Sequence, residues 1–126
     1  GSEMCIRDSY SIVEGSHYCN IKDNETVTIN GSLKVLVNTD KGSNDYTIQV
    51  DEGGNCNIQT DSGQINLVTG GHSNDINIVS SGNINMSAMQ SLNVRVLGDL
   101  NEDVEGKQVT QVTGNIDIDG SRIDLN

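Results

Sequence analysis

Aromatic residues and proline are almost absent from this chain. Among 126 residues there is no Phe, no Trp and no Pro, and Tyr occurs three times. Because aromatic side chains supply much of the buried area of an ordinary core, a compact monomer would have to rest on Val, Ile and Leu alone. The hydrophobic fraction of 33% is typical either of disorder or of an elongated repeat protein. The plentiful, regularly placed β-branched residues favour the repeat.

Positive charge is also scarce. Seven Lys and Arg residues stand against 18 Asp and Glu, for a net charge of −11. A nucleic-acid binder neutralises phosphates with Lys and Arg, so the sequence predicts no nucleic-acid partner. We interpret the negative charge as a source of solubility.

Metal-binding and catalytic patterns are lacking too. His17 and His72 lie far apart without an HxH or HxxxH pair, and Cys5, Cys19 and Cys56 form no CxxC motif. The stretch "GGHSND" (70–75) is similar to a calcium-binding nonapeptide but occurs once, whereas calcium-binding β-rolls need tandem copies. No nucleophile elbow occurs. The sequence therefore predicts no enzyme, no catalytic residue, no metal site and no cofactor.

The first nine residues, "GSEMCIRDS", share no pattern with the rest of the chain. Their reverse translation resembles a transposon-end adapter used in preparing sequencing libraries. We interpret residues 1–9 as a non-native, adapter-derived segment, which implies a reading frame from environmental DNA that lacks its true start. The alternative is an expression-tag Gly-Ser followed by a native start at Met4.

Period-two alternation of apolar and polar residues dominates the remainder of the chain. It predicts short strands with one apolar and one polar face, separated by Gly, Asn, Asp and Ser that tolerate turns. The predicted strands are 26–29, 33–37, 46–50, 56–58, 65–67, 76–78, 84–86, 92–96, 116–118 and 123–125. No window shows helical periodicity, so the predicted fold class is all-β.

An eight-residue repeat is superimposed on this alternation. In "VLGDLNEDVEGKQVTQVTG" (96–114) the phrase Val-x-Gly occurs three times at a spacing of eight. Each step supplies one short strand and one bend, and the glycine can adopt positive φ at the corner. The predicted turn glycines are Gly82, Gly98, Gly106 and Gly114.

A single chain coiling in such steps would have a thin core, whereas three chains wound together would share a continuous apolar axis. We therefore predict an intertwined homotrimeric triple-stranded β-helix, a triangular β-prism built from octapeptide Val-x-Gly repeats. Its predicted trimer-core residues are Ile84, Leu92, Val94, Val96, Leu100, Val104, Val112, Ile116 and Ile118. Glu102 and Gln108 break the apolar pattern, which indicates either a wet axis or a local shift of strand register.

The octapeptides "VLGDLNED VEGKQVTQ VTGNIDID" and the ending "GNIDIDGSRIDLN" resemble the triple-stranded β-helix of central spike proteins in contractile phage tails, including VgrG-like spikes. The resemblance covers residues 82–126 well and 26–81 loosely. It implies a membrane-piercing needle at the baseplate tip of a virion, driven through a host cell envelope. On this interpretation 10–50 is an irregular β start of the spike and 51–126 is the needle.

The same resemblance implies a small tip protein docked on the C-terminal end. The candidate docking residues are Arg122, Ile123, Asp124, Leu125 and Asn126. Some related spikes hold an apical iron through an HxH pair, which this sequence lacks. Two other functions stay open: a trimeric fibre or adhesin shaft that binds glycans, and a monomeric calcium-stabilised secreted β-solenoid.

Overall fold

The computed structural model describes residues 10–37 and 44–126, which form neither a helix nor a β-strand. The chain divides into two units, Gly1–Ile65 and Asn66–Asn126. In both, irregular segments of about six residues are separated by bends of the backbone. The adapter-derived segment predicted for 1–9 lies outside the described residues, as does Cys5.

The predicted fold class is therefore wrong. The intertwined triple-stranded β-helix, or triangular β-prism, required strands, and none of the ten predicted strands is present in the part of the chain that the structure describes. A strand exists only where its N–H and C=O groups are bonded to a neighbouring segment. Alternating side chains give a segment an apolar face, but they do not provide a neighbouring segment whose backbone it can pair with.

The absence of strands agrees with the few backbone hydrogen bonds and the large exposed surface of the described residues. Across residues 10–37 and 44–126 one backbone–backbone hydrogen bond is made, from Gly54 N to Asp51 O at 3.4 Å. No two described residues twelve or more positions apart approach within 8 Å between Cα atoms, so no ladder can form. The accessible surface is 14790 Å², more than twice the roughly 6,500 Å² of a compact monomer of this mass. No described residue is buried.

Bends of the backbone follow a regular step of eight residues in parts of both units. In the first unit they lie at 14–15, 22–23 and 30–31. In the second unit they lie at 81–82, 89–90, 97–98, 105–106 and 113–114. The eight-residue period of the sequence therefore appears in the backbone as a period of bends.

Between these two series the bends are about ten residues apart, and polar side chains support them. Turns or bends lie at 52–53, 61–63 and 71–73. The Gly63 amide donates to Thr60 Oγ1 at 3.2 Å, and the Asn74 side-chain amide donates to Gly70 O at 2.6 Å. Short polar side chains commonly bond nearby backbone groups in this way and favour turns over regular structure.

The tightest turn spans 51–54 and contains two consecutive residues with positive φ. Glu52 has a φ of 56° and Gly53 a φ of 80°, the combination found in the type I′ turns of hairpins. Glycine adopts this region freely, whereas a residue with a Cβ is strained there by about 1–2 kcal/mol. Among the described residues of the first unit, Glu52 is the one non-glycine residue with a positive φ, so the backbone strain lies in this turn.

We expect Gly53→Ala to weaken this turn and Glu52→Gly to retain it. Alanine at position 53 gains the left-handed strain that glycine avoids, about 1 kcal/mol, whereas glycine at position 52 loses it. The temperature coefficient of the Gly54 amide proton, measured by NMR, reports the hydrogen bond that closes the turn. A Gly53→Ala variant with the wild-type coefficient would contradict the assigned backbone conformation.

Candidate self-association surface

The second unit carries the apolar residues that the sequence assigns to a trimer core. We call the following set the octapeptide stripe: Ile84, Leu92, Val94, Val96, Leu100, Val104, Val112, Ile116 and Ile118. All nine side chains are exposed in the single chain. Their burial in a trimer stays a prediction, and within one chain they form a row of uncovered apolar groups.

The valines of the Val-x-Gly phrase are the most shielded members of the stripe. Val96, Val104 and Val112 are 45%, 50% and 47% exposed, whereas Leu97, directly after Val96, is 90% exposed. The stripe residue that precedes each bend is therefore partly covered by its own chain. Leu97, the residue after Val96, is not shielded in this way.

A hydrogen bond across one bend identifies which face of the chain is concave. Gln108 Nε2 donates to Glu102 Oε2 at 3.3 Å. In a straight segment two residues six positions apart are separated by about 20 Å. Their side chains can meet only because the backbone bends at 105–106 towards the face that carries them. Glu102 and Gln108 share the even-numbered positions of the stripe, so the stripe lies on the inner side of this bend.

The structure also brings out a second apolar row, which we call the N-terminal stripe. It consists of Val13, Ile21, Ile29 and Val37, spaced by eight and each lying just before a bend or at the end of the described segment 10–37. These side chains are 42–54% exposed, the same range as the Val-x-Gly valines. The sequence interpretation of 10–50 as irregular missed this row. The phrases Val13-x-Gly15 and Ile29-x-Gly31 were the available signal.

The predicted turn glycines do lie at bends, at Gly82, Gly98, Gly106 and Gly114. None of the four has a φ in the left-handed region, and a Cβ built on any of them meets no atom within 4 Å. Positive φ is instead found at Gly53 and Gly71. At the eight-residue bends, glycine is therefore required neither by backbone strain nor by crowding within the chain.

The candidate tip-docking end contains one ion pair. Arg122 Nε contacts Asp124 Oδ1 at 2.9 Å, with both side chains mostly exposed. Ile123 and Leu125 are exposed beside it. An exposed pair of this kind contributes little to stability, about 0–1 kcal/mol.

Other kinds of site are not seen in the described ranges. Within 10–37 and 44–126 there is no group of three or more His, Cys, Asp or Glu residues placed to hold a metal ion. No cavity opens among the same residues, and Cys19 and Cys56 are exposed and unpaired. The loop around His72 contains strained backbone, with a φ of 59° at Ser73, and no ligand set.

The part of the chain that the structure describes contains no helix of the length and hydropathy needed to span a bilayer.

Comparison with known proteins gives no relative: no family model, no curated protein and no solved structure matches the chain. The repeat, the bends and the exposed apolar stripes are the features of the chain that bear on its function.

We expect Gly106→Ala to leave the stability of the protein unchanged or to raise it by up to about 1 kcal/mol. Its φ suits alanine, its Cβ has room, and alanine reduces the entropy of the unfolded chain. Sedimentation of the protein over a series of guanidinium concentrations measures the change, as the loss of self-association. Gly53→Ala, at a positive φ, is the contrasting variant and should lose stability. A loss above 1 kcal/mol for Gly106→Ala would indicate a close approach by another chain at this bend.

Proposed function

We propose that the protein belongs to the class of non-catalytic structural proteins and works as a homotrimer of parallel chains. The observation that carries this proposal is the exposure of every apolar residue of the octapeptide stripe. These side chains recur on a fixed step, at bends that also recur every eight residues. A second copy of the same chain carries the same step and can match it along its whole length.

The available surface is large enough for such an assembly. The chain exposes 14790 Å², some 8,000 Å² more than a compact protein of its mass. A standard stable interface removes only about 800 Å² from each partner. Covering the stripes with other copies would remove these apolar side chains from water.

More particularly, we propose that the chain is a segment of the membrane-piercing spike in a contractile phage tail baseplate. The support is the resemblance of 82–126 to the octapeptide repeats of such spikes, together with the stripes. On this proposal the protein is located in the virion, at the tail tip. Its partners are two further copies, the host cell envelope and a small tip protein at 122–126.

The physical properties of the chain suit that role. Load along the spike would be carried by the covalent backbone, and lateral cohesion by apolar contacts repeated every eight residues. Separating the copies would require many repeats to be lost together, which makes dissociation slow. A trimer would carry three times −11, or about −33 charges, which keeps spikes apart before use.

The mass of the protein in solution tests the proposal. We expect about 40 kDa, three times the 13.5 kDa of one chain, by sedimentation equilibrium or light scattering. The trimer should withstand SDS without heating and should be indifferent to a calcium chelator. A stable species of 13.5 kDa that melts on chelation would instead indicate the monomeric calcium-stabilised solenoid. A trimer that binds glycans on an array would indicate the adhesin shaft.

We expect Val112→Asp to disrupt the trimer. Val112 belongs to the stripe, and a carboxylate moved from water into an apolar contact costs several kcal/mol. The dissociation constant should rise at least tenfold, the equivalent of about 1.4 kcal/mol, measured by sedimentation over a range of concentrations.

Gln111→Asp is the matched control for Val112→Asp. It adds the same charge one position earlier, outside the stripe, and should leave the mass unchanged. Equal effects of the two variants would show that charge, and not burial of the stripe, governs association.

A further inference from the structure

Three polar residues interrupt the octapeptide stripe, Glu102, Gln108 and Thr110, and the first two contact each other. Glu102 lies four residues after Gly98, and Gln108 lies two residues after Gly106. The equivalent positions of the preceding repeat carry Val94 and Leu100, and those of the following repeat carry Thr110 and Ile116. The Gln108 carboxamide donates to the Glu102 carboxylate at 3.3 Å across the bend. Glu102 and Gln108 therefore form one polar pair on the concave face of the bend.

The apolar repeat cannot by itself define how parallel copies align. A shift of one copy by eight residues brings Val96 to the level of Val104 and Gly98 to the level of Gly106. Nearly the same apolar contacts form before and after the shift. Sequences that repeat in this way allow alternative registers unless another feature excludes them.

The polar pair removes this ambiguity. With copies aligned, the three Glu102 carboxylates come to one level, where the Gln108 donors offset their mutual repulsion. A carboxamide has two N–H donors, so Gln108 can bond its own Glu102 and that of a second copy. After a shift of eight in one direction, Glu102 lies level with Val94. A carboxylate held against apolar side chains loses its partners, at a cost of tenfold or more in the population of that alignment.

We propose that the Glu102–Gln108 pair determines the axial register of the homotrimer. This inference rests on the proposed self-association and goes beyond it, since it assigns to two named residues the choice among alignments that the stripe leaves equal. A buried polar residue that selects one register at some cost in stability is an established device in coiled coils.

The test measures the alignment of the copies directly. The full chain is used with Cys5, Cys19 and Cys56 replaced by serine and a spin label attached through Asn101→Cys. Pulsed electron spin resonance then gives the distances between labels on different copies. In the parent protein we expect one narrow distance distribution. A slip of one repeat displaces a label by up to about 26 Å along the axis and adds longer distances.

Glu102→Leu with Gln108→Leu should broaden the distribution towards those longer distances while the trimer persists. Asp103→Leu with Gln111→Leu is the matched control, because it exchanges one carboxylate and one carboxamide for leucine outside the stripe. The control should keep the single narrow distribution.

A relocation variant separates register from packing. In the Glu102→Leu, Gln108→Leu background, Val94→Glu with Leu100→Gln moves the pair one repeat towards the N-terminus. We expect the single narrow distribution to return. This rescue also serves if the leucine variant aggregates, because the relocated chain has the parent's number of polar groups on the stripe.

The outcomes distinguish the two proposals. If the parent protein shows no distances between copies and has the mass of a monomer, the proposed function itself fails. If the parent is a trimer and the leucine variant keeps its narrow distribution, or if relocation restores nothing, self-association stands and the register inference is overturned.

Discussion

One constraint governs the described residues: their short segments, joined by bends, do not come close enough to one another to pair their backbones or to cover their apolar side chains. The bends turn the chain without bringing any two described residues twelve or more positions apart within 8 Å between Cα atoms. The described residues accordingly make one backbone–backbone hydrogen bond and bury nothing. On the proposed function, further copies of the chain would supply the missing contacts.

On the proposed self-association, the polar interruptions Glu102 and Gln108 matter because they distinguish one alignment of the copies from another. Along a stripe that repeats every eight residues, apolar contacts favour association without favouring one alignment. Glu102 and Gln108 are two of the positions where a polar residue breaks the repeat, and the structure joins them by a hydrogen bond. A regular apolar surface supplies affinity, and its irregularities supply specificity.

The bends and the strands show how far sequence reasoning reached. The period of eight was readable at 96–114, and the backbone bends at the corresponding positions. The all-β prediction was wrong, because alternation describes the two faces of a segment and says nothing of a neighbour to pair with. The N-terminal stripe was missed because Asp23 and Thr39 stand where Gly15 and Gly31 mark the other two steps, although Ile21 and Ile29 keep the spacing of eight.

The sequence by itself determined the step of the repeat, the spacing of the apolar residues and the excess of negative charge, because these depend only on the order of side chains. The tertiary structure decided which face is concave, that Glu102 meets Gln108, and that the positive φ angles lie at 52–53 and near 71–73 instead of at the eight-residue bends. Such features depend on the direction in which each bend turns the chain, and spacing along a sequence does not encode that direction.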